Sequence, residues 1–210
     1  MAIMVKICGL SEPDTIVAAA EAGADWIGFV FHPASPRAVT LDRVKSLLPL
    51  IGSARPIGLL VDPGDDLLDD VTSVGVHSIQ LHGAETPERV EEVSARVPGE
   101  VWKAVGVGSQ ADLEQASQYS SADSLLLDAT PPANADRTGG HGEVFDWSVL
   151  EDWRAPGPWI LAGGLTPQNV KAAIQQTGAR AVDVSTGVER ARGVKDAGLI
   201  RDFIKAAKDT

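Results

Sequence analysis

A thiol and a carboxyl group each end an apolar run of this sequence, and together they could act as a base and an acid. Cys8, the only cysteine of the 210 residues, ends "VKIC", and Asp128 ends "SLLLD". A thiolate accepts a proton readily where positive charge lowers the pKa of the thiol, and a carboxylic acid donates one where burial raises its pKa. Each residue also has a purely structural interpretation, since lone cysteines are often buried and aspartates often form turns.

Other polar residues stand near the ends of apolar runs. Gln80 and His82 are two positions apart in "IQLHG", and Asp183 and Ser185 are two positions apart in "VDVS". Because strand side chains alternate between faces, each pair is predicted to share one face of its strand. A thiol and a carboxyl group that close strands at the same edge favour chemistry over packing.

Two glycine-containing segments have the composition of phosphate-binding loops. "LAGGLTPQNV" contains Gly163 and Gly164 between an apolar run and a helix predicted to begin at Pro167, and "DVSTGVE" contains Ser185 and Gly187 directly after another run. Glycine lets the backbone approach a ligand closely, and the N–H groups at a helix N-terminus bind anions. Either segment alone is typical of ordinary turns, but the pair predicts a phosphate site.

Three basic residues allow two interpretations each. Arg37 follows two prolines in "HPASPR" and is either a solvated surface residue or a guanidinium placed to bind a carboxylate through two parallel hydrogen bonds. Lys6 and Lys103 lie inside apolar runs, where lysine either forms a Schiff base or, more commonly, lies in a polar layer with partners. The sequence favours the paired state for both lysines and leaves Arg37 open.

Eight apolar runs alternate with helical segments along the chain. Several are almost continuously hydrophobic, which is typical of parallel strands covered on both faces. Eight strand–helix units in about 200 residues match the lower size limit of a (β/α)8 barrel, and a doubly wound open sheet is the alternative. We predict the barrel, an α/β TIM barrel that forms one domain over residues 1–210, because no G-x-G-x-x-G loop follows the first run. The predicted strands are Met4–Cys8, Trp26–Phe31, Pro56–Val61, Ser78–His82, Val101–Val105, Ser124–Asp128, Trp159–Gly163 and Ala181–Ser185.

Composition narrows the range of partners. The net charge of −11 argues against nucleic acid, because phosphate neutralisation needs clustered lysine and arginine. No apolar run approaches the roughly 20 residues of a membrane helix, and the N-terminus does not have the pattern of a secretory signal. One cysteine and four scattered histidines show no zinc-ligand spacing. We therefore expect a cytoplasmic protein that binds no metal, nucleic acid or membrane.

Taken together, the motifs resemble those of the phosphoribosylanthranilate isomerase family of tryptophan biosynthesis. The resemblance runs nearly end to end through "VKICGL", "GADWIGFVFHPASPR", "IQLHG", "LLLD", "LAGGLTPQNV", "VDVSTGVE" and "GVKD". It implies an Amadori rearrangement of N-(5′-phosphoribosyl)anthranilate to an aminodeoxyribulose phosphate, without a cofactor. It also implies a small phosphorylated substrate and a monomer or homodimer.

The resemblance assigns roles to individual residues. It implies that Cys8 is the general base, Asp128 the general acid and Arg37 the group that holds the anthranilate carboxylate. Asp183 is expected near the anthranilate nitrogen, and Gln80 and His82 are expected to line the pocket. The residues implied for phosphate binding are Gly163, Gly164, Ser185 and Gly187.

The sequence departs from the family pattern in two loops. His141 replaces a residue that is usually small in the glycine-rich segment Thr130–Trp147, for which we predict a mobile lid, and Thr186 replaces a serine in the turn after the eighth strand. Two alternatives stay open. A sugar isomerase of the histidine pathway shares the chemistry but has an aspartate at the position of Cys8, and a barrel could bind a sugar phosphate without converting it.

Overall fold

Eight parallel strands close into a barrel in the computed structural model, which describes residues 2–129 and 146–210. The first strand pairs with the second on one side and with the eighth on the other, so the sheet has no open edge. The TIM-barrel prediction is therefore confirmed, and the doubly wound open sheet is excluded. The strands are β1 (Met4–Cys8), β2 (Trp26–Val30), β3 (Arg55–Leu60), β4 (Ser78–Leu81), β5 (Val101–Val107), β6 (Ser124–Ala129), β7 (Trp159–Leu161) and β8 (Ala181–Val184).

Helices cover the outside of the barrel. The described residues contain α1 (Pro13–Glu21), α2 (Leu41–Leu47), α3 (Asp65–Ser73), α4 (Pro87–Arg96), α5 (Gln110–Ala116), α6 (Val170–Thr177) and α7 (Ala197–Lys208). Short 3-10 helices span Leu48–Leu50, Trp147–Leu150 and Thr186–Val188, and an antiparallel hairpin, β9 (Glu189–Ala191) with β10 (Val194–Lys195), separates β8 from α7. None of the helices in these ranges is long and apolar enough to cross a membrane.

The helix after β7 begins later than the sequence predicts. A helix start at Pro167 is wrong, because α6 begins at Val170. The reason is the Asn169 side chain, whose Oδ1 accepts a hydrogen bond from the Thr166 N–H at 2.7 Å while its Nδ2 donates to the Gly164 carbonyl at 3.0 Å. These two bonds hold the preceding segment as a turn, so this turn rather than a helix N-terminus follows the glycines.

Strand side chains form two separate hydrophobic layers. Val5 and Ile7 of β1 belong to the outer layer between strands and helices, whereas Trp26, Trp102 and Leu126 belong to a cluster inside the barrel. Trp26 and Trp102 lie at the starts of β2 and β5 and pack edge to face, with ring centroids 5.0 Å apart. Because all eight strands run the same way, this indole pair closes the amino-terminal end of the barrel, and the polar residues predicted for the site lie at the other end.

Candidate active site

The carboxyl-terminal end of the barrel brings together side chains from four strands. Cys8 ends β1, Gln80 lies in β4 with His82 just after it, Asp128 lies near the end of β6, and Asp183 lies in β8. His82 Nε2 is 3.7 Å from Asp128 Oδ2, and His82 also experiences the charge of Asp183. The sequence prediction that these polar residues share one edge of the sheet agrees with their placement.

Cys8 is nearly closed to solvent but does not belong to either hydrophobic cluster. It is 3% exposed, and a Cβ built on Gly28 of the paired strand would lie 3.0 Å from its Sγ. Gly28 follows Ile27 and precedes Phe29, both of which lie in the outer layer, so the position of Gly28 and the thiol face the barrel interior. Glycine at this position gives the sulfur its space.

Burial raises the pKa of the Cys8 thiol above its ordinary value. The Lys6 ammonium opposes this rise, as does that of Lys195, whereas the Asp183 carboxylate adds to it. The expectation that nearby positive charge lowers the thiol pKa is therefore wrong for the protein without a ligand, because desolvation of the thiolate outweighs two ammonium groups.

Lys6 and Asp183 form a buried ion pair beside the thiol. The two residues are register partners on β1 and β8, and Nζ donates to Asp183 Oδ1 at 2.8 Å. The Lys6 side chain is fully buried. Burial lowers the pKa of Lys6, but the negative charges of Asp183 and of ionised Cys8 together outweigh this effect, so the pKa of Lys6 is raised. Lys103 is paired in the same way, 2.7 Å from Glu85, and the prediction that both lysines have polar partners is confirmed.

His82 is held as a neutral imidazole. The Gln80 amide group lies against the ring, with its nitrogen 2.8 Å from Nδ1. Burial and the charge of Lys6 lower the pKa of His82 to about 4. The uncharged ring therefore faces the Asp128 carboxyl group, with Nε2 3.7 Å from Oδ2.

Acid is expected to destabilise the fold through His82. The pKa of His82 is about 4 in the folded protein and 6.5 for an ordinary imidazole, so between these values the unfolded chain binds more protons. The stability that the neutral ring contributes is present above pH 6.5 and is lost as the pH falls towards 4. Between pH 7 and pH 4.5 this loss is about 2 kcal/mol, which urea unfolding measures as the difference between the wild type and His82→Asn.

The exposed residue His77 provides the control for this measurement. His77→Asn is expected to keep the full pH dependence of the wild type, because the ring lies at the surface. An unfolding free energy whose pH dependence is the same in His82→Asn and in the wild type would contradict the neutral, buried state of His82.

The loops after β7 and β8 pack tightly against each other. Gly163 and Gly164 have φ angles of +81° and +61°, a conformation that favours glycine. A Cβ on Gly187 would lie 1.8 Å from the Leu165 carbonyl oxygen, so the second loop can approach the first only with glycine there. Ser185 joins β8 to this turn, and the four residues predicted to bind phosphate therefore meet at one place.

Arg37 lies against this turn rather than in solvent. Its Nε donates to Glu189 Oε1 at 2.5 Å, and its NH2 donates to Glu189 Oε2 at 3.0 Å and to the Thr186 hydroxyl at 3.2 Å. The Arg37 side chain is 11% exposed. The solvated interpretation of Arg37 is therefore excluded, and its guanidinium is held at the edge of the site by a carboxylate of the protein.

Two buried charged residues near the site were not predicted from the sequence. Glu189 and Lys195 lie in the β9–β10 hairpin, and their carboxylate and ammonium are 2.9 Å apart with side chains 2% and 3% exposed. "STGVE" and "GVKD" contain them, but a short hairpin has no strong periodicity, so the sequence signals neither the burial nor the pairing. Residues 130–145 of the predicted lid, which include His141, lie outside the described residues.

Comparison with known proteins decides the family. A family model described as N-(5′-phosphoribosyl)anthranilate (PRA) isomerase matches residues 5–206. The chain belongs to the phosphoribosylanthranilate isomerase family. Two curated relatives named N-(5′-phosphoribosyl)anthranilate isomerase are similar over almost their whole length. The protein from Hyphomonas neptunium is 53% identical, with 97% of this chain and 96% of that protein covered, and the one from Rhodospirillum rubrum is 48% identical, with 98% of each covered.

Solved structures of the family share the fold. Phosphoribosyl anthranilate isomerase from Thermotoga maritima matches with a TM-score of 0.89 and 37% identity, covering 99% of this chain and 100% of that one. A second structure, 35% identical with a TM-score of 0.86, is a phosphoribosyl anthranilate isomerase in complex with reduced 1-(o-carboxyphenylamino)-1-deoxyribulose 5-phosphate. Family membership makes this chain an enzyme, an isomerase of tryptophan biosynthesis.

Proposed function

We propose that the chain converts N-(5′-phosphoribosyl)anthranilate to 1-(2-carboxyphenylamino)-1-deoxyribulose 5-phosphate, with Cys8 as the general base and Asp128 as the general acid. The observation that supports these roles best is the placement of both side chains at the carboxyl-terminal end of the barrel, beside the turn that contains the phosphate-site glycines. Gly163 has no side chain, and a Cβ there would lie 3.1 Å from Asp128 Oδ1, so the carboxyl group borders this turn directly.

The first step opens the ribose ring. The C1–O4 bond breaks, its electron pair goes to O4, and O4 takes the proton of the Asp128 carboxyl group while the anthranilate nitrogen forms a C=N⁺ bond to C1. Asp128 Oδ1 accepts a hydrogen bond from the Ala129 N–H at 2.9 Å, which orients the carboxyl group. The neutral His82 ring, with Nε2 3.7 Å from Oδ2, leaves the acid beside an uncharged group rather than beside a cation.

The second step removes the proton from C2. The Cys8 thiolate takes it, the C2–H electrons form a C1=C2 bond, and the C=N⁺ electrons return to nitrogen. The resulting enaminol becomes the ketone when C1 takes up a proton and the hydroxyl group on C2 loses one. Burial raises the pKa of Cys8 in the free protein. The iminium formed in the first step places a positive charge on the C1=N⁺ group, next to the C2–H bond, and this charge favours the thiolate. The base therefore becomes effective once the ring has opened, with Lys6 close by to favour the thiolate.

The two charged ends of the substrate determine its orientation. We infer that the phosphate binds at the turn formed by Gly163, Gly164, Ser185 and Gly187, where glycine lets the backbone approach closely. The anthranilate carboxylate would lie by Arg37, and its nitrogen near Asp183. Because the whole chain carries a net charge of −11, these local cations and N–H groups, rather than the field of the protein, must hold a ligand with two anionic groups.

Replacing Arg37 with alanine is expected to raise KM with little change in kcat. A charge-assisted hydrogen bond contributes about 1.5–3 kcal/mol, which corresponds to a rise of roughly 10- to 150-fold in KM. Steady-state kinetics with N-(5′-phosphoribosyl)anthranilate measures both constants. Arg96→Ala is the matched control, because Arg96 bonds Asp69 through Nε at 2.9 Å and NH2 at 2.5 Å on the helical shell. An unchanged KM in Arg37→Ala would remove this residue from the site.

The experiment that tests the function is the loss of substrate fluorescence on addition of the purified protein. We expect turnover with no added cofactor and no effect of a metal chelator. The substrate of the histidine-pathway sugar isomerase is the matched second substrate. We expect no conversion of it, because β1 ends in Cys8, where that isomerase has an aspartate. Binding without turnover would instead support a sugar-phosphate sensor and would contradict the proposal.

We propose four further properties of the protein. We infer one domain, because the strands of the barrel span the chain from Met4 to Val184, and α7, near the C-terminus, packs against the barrel. The cytoplasm stays the predicted location, as the site of soluble amino-acid biosynthesis. The monomer or homodimer also stays a prediction, and so does the absence of nucleic acid among the partners.

A further inference from the structure

The hairpin after β8 carries a buried carboxylate that the proposed reaction does not use. Glu189 pairs with Lys195 across the hairpin, and Gly193 with a φ angle of +78° forms the turn between them. The Glu189 carboxylate accepts hydrogen bonds from Arg37 at both oxygens and from the Gly193 N–H at 2.9 Å, and Lys195 lies 2.9 Å from Oε1. Burial raises the pKa of this carboxyl group, but the hydrogen bonds and positive charges around it outweigh burial. Its pKa is therefore lowered, and the group is held as a carboxylate.

Lys195 directs all three of its protons to the protein. Nζ lies 2.8 Å from the Ser185 carbonyl, 3.0 Å from the Ser185 hydroxyl and 2.9 Å from Glu189 Oε1. An ammonium has three donors, and this set uses each of them. The Ser185 backbone and hydroxyl are therefore fixed by a single cation buried beneath the turn.

Arg37 connects this hairpin to the strand that carries the thiol. A Cβ on Gly9 would lie 2.6 Å from Arg37 Cδ, so the arginine side chain crosses directly over the residue that follows Cys8. Glu189 contacts Arg37 on one side and Lys195 on the other. The loops after β1, β2 and β8 are thus joined through one carboxylate.

We propose that Glu189 and Lys195 are positioning residues that fix the Ser185 turn and the Arg37 guanidinium relative to each other. The proposal rests on the proposed function, in which these two groups bind the phosphate and the carboxylate of one substrate. Holding both subsites before binding removes the cost of ordering them when the substrate arrives.

Two substitutions test the positioning role. Glu189→Gln releases Arg37 and Lys195 from their shared partner, and Lys195→Met removes the donors to Ser185. We expect each to raise the KM for N-(5′-phosphoribosyl)anthranilate about tenfold or more while kcat changes less, and to raise the Kd for inorganic phosphate by at least about fivefold. Isothermal titration calorimetry with phosphate gives the second value without any turnover.

Control variants separate positioning from folding. Asp69→Asn removes a carboxylate that binds Arg96 in the same two-pronged manner on the helical shell, and it is expected to change neither constant. Lys195→Arg keeps a cation beneath the turn and is expected to keep the phosphate Kd within about threefold of the wild type, even if Lys195→Met does not fold. A phosphate Kd within about twofold of the wild type in both Glu189→Gln and Lys195→Met, or no phosphate binding by the wild type, would overturn the inference. Failure of the wild type to convert the substrate would instead overturn the proposed function.

Discussion

Cys8→Ser is expected to lower kcat by about a hundred- to ten-thousandfold, the range that a positioned general base contributes. The hydroxyl occupies nearly the same place as the thiol, but it gives up its proton far less readily, so little base is present at any working pH. KM should change much less, because in the proposed mechanism the thiol contacts only the reacting carbon. Steady-state kinetics of the variant, followed by loss of substrate fluorescence, measures both constants.

A second substitution at this position separates basicity from packing. Cys8→Ala removes the polar atom and leaves a small cavity, and we expect it to lose as much kcat as Cys8→Ser. Thermal unfolding of both variants shows whether the barrel is intact, since the residue lies in a tight space against Gly28. Retention of more than about a tenth of the wild-type kcat in either variant would refute Cys8 as the base.

Asp128→Asn is expected to lower kcat by a similar factor, about a hundred- to ten-thousandfold. The amide keeps an oxygen that can accept the Ala129 N–H, so the backbone geometry is retained, but it has no acidic proton for the ring oxygen. The wild-type rate should fall at alkaline pH as the acid loses its proton, and this decline should be absent from the residual activity of the variant. A pH–rate profile of both proteins measures the difference.

The contrasting result would be a profile with the same alkaline decline in both proteins. It would show that another group donates the proton to the ring. His82→Gln gives a useful comparison, because it removes the neutral ring beside Asp128 and leaves the carboxyl group in place. We expect its kcat to fall less than that of Asp128→Asn.

The barrel could be predicted from the sequence because its signal is local. Runs such as "WIGFVF" and "SLLLD" are apolar on both faces, and every predicted strand is present in the structure with shifts of one or two residues at its ends. Strand direction then places the ends of β1, β4, β6 and β8 at one edge, which is why Cys8 and Asp128 were predicted to share it. The helix after β7 begins at Val170 rather than at the predicted Pro167, because the Asn169 side chain outweighs a local Thr-Pro signal.

Properties that depend on distant partners could not be predicted in this way. The pKa of Cys8 is set by burial and by charges on β1, β8 and the hairpin, and Asp183 is 175 positions away in the chain. The Arg37–Glu189 pair joins residues 152 positions apart, so neither "SPR" nor "GVE" contains its signal. The roles of individual residues are likewise implied by the resemblance to the family and not by any local pattern.

A crystal structure of this protein with reduced 1-(o-carboxyphenylamino)-1-deoxyribulose 5-phosphate is the most direct test of the paired thiol and carboxyl group. We expect the Cys8 sulfur within about 3.5 Å of C2 and the Asp128 carboxyl group within hydrogen-bond reach of the oxygen on C4, on either side of the sugar chain. A ligand bound with its sugar carbons separated from Cys8 by other side chains would contradict it.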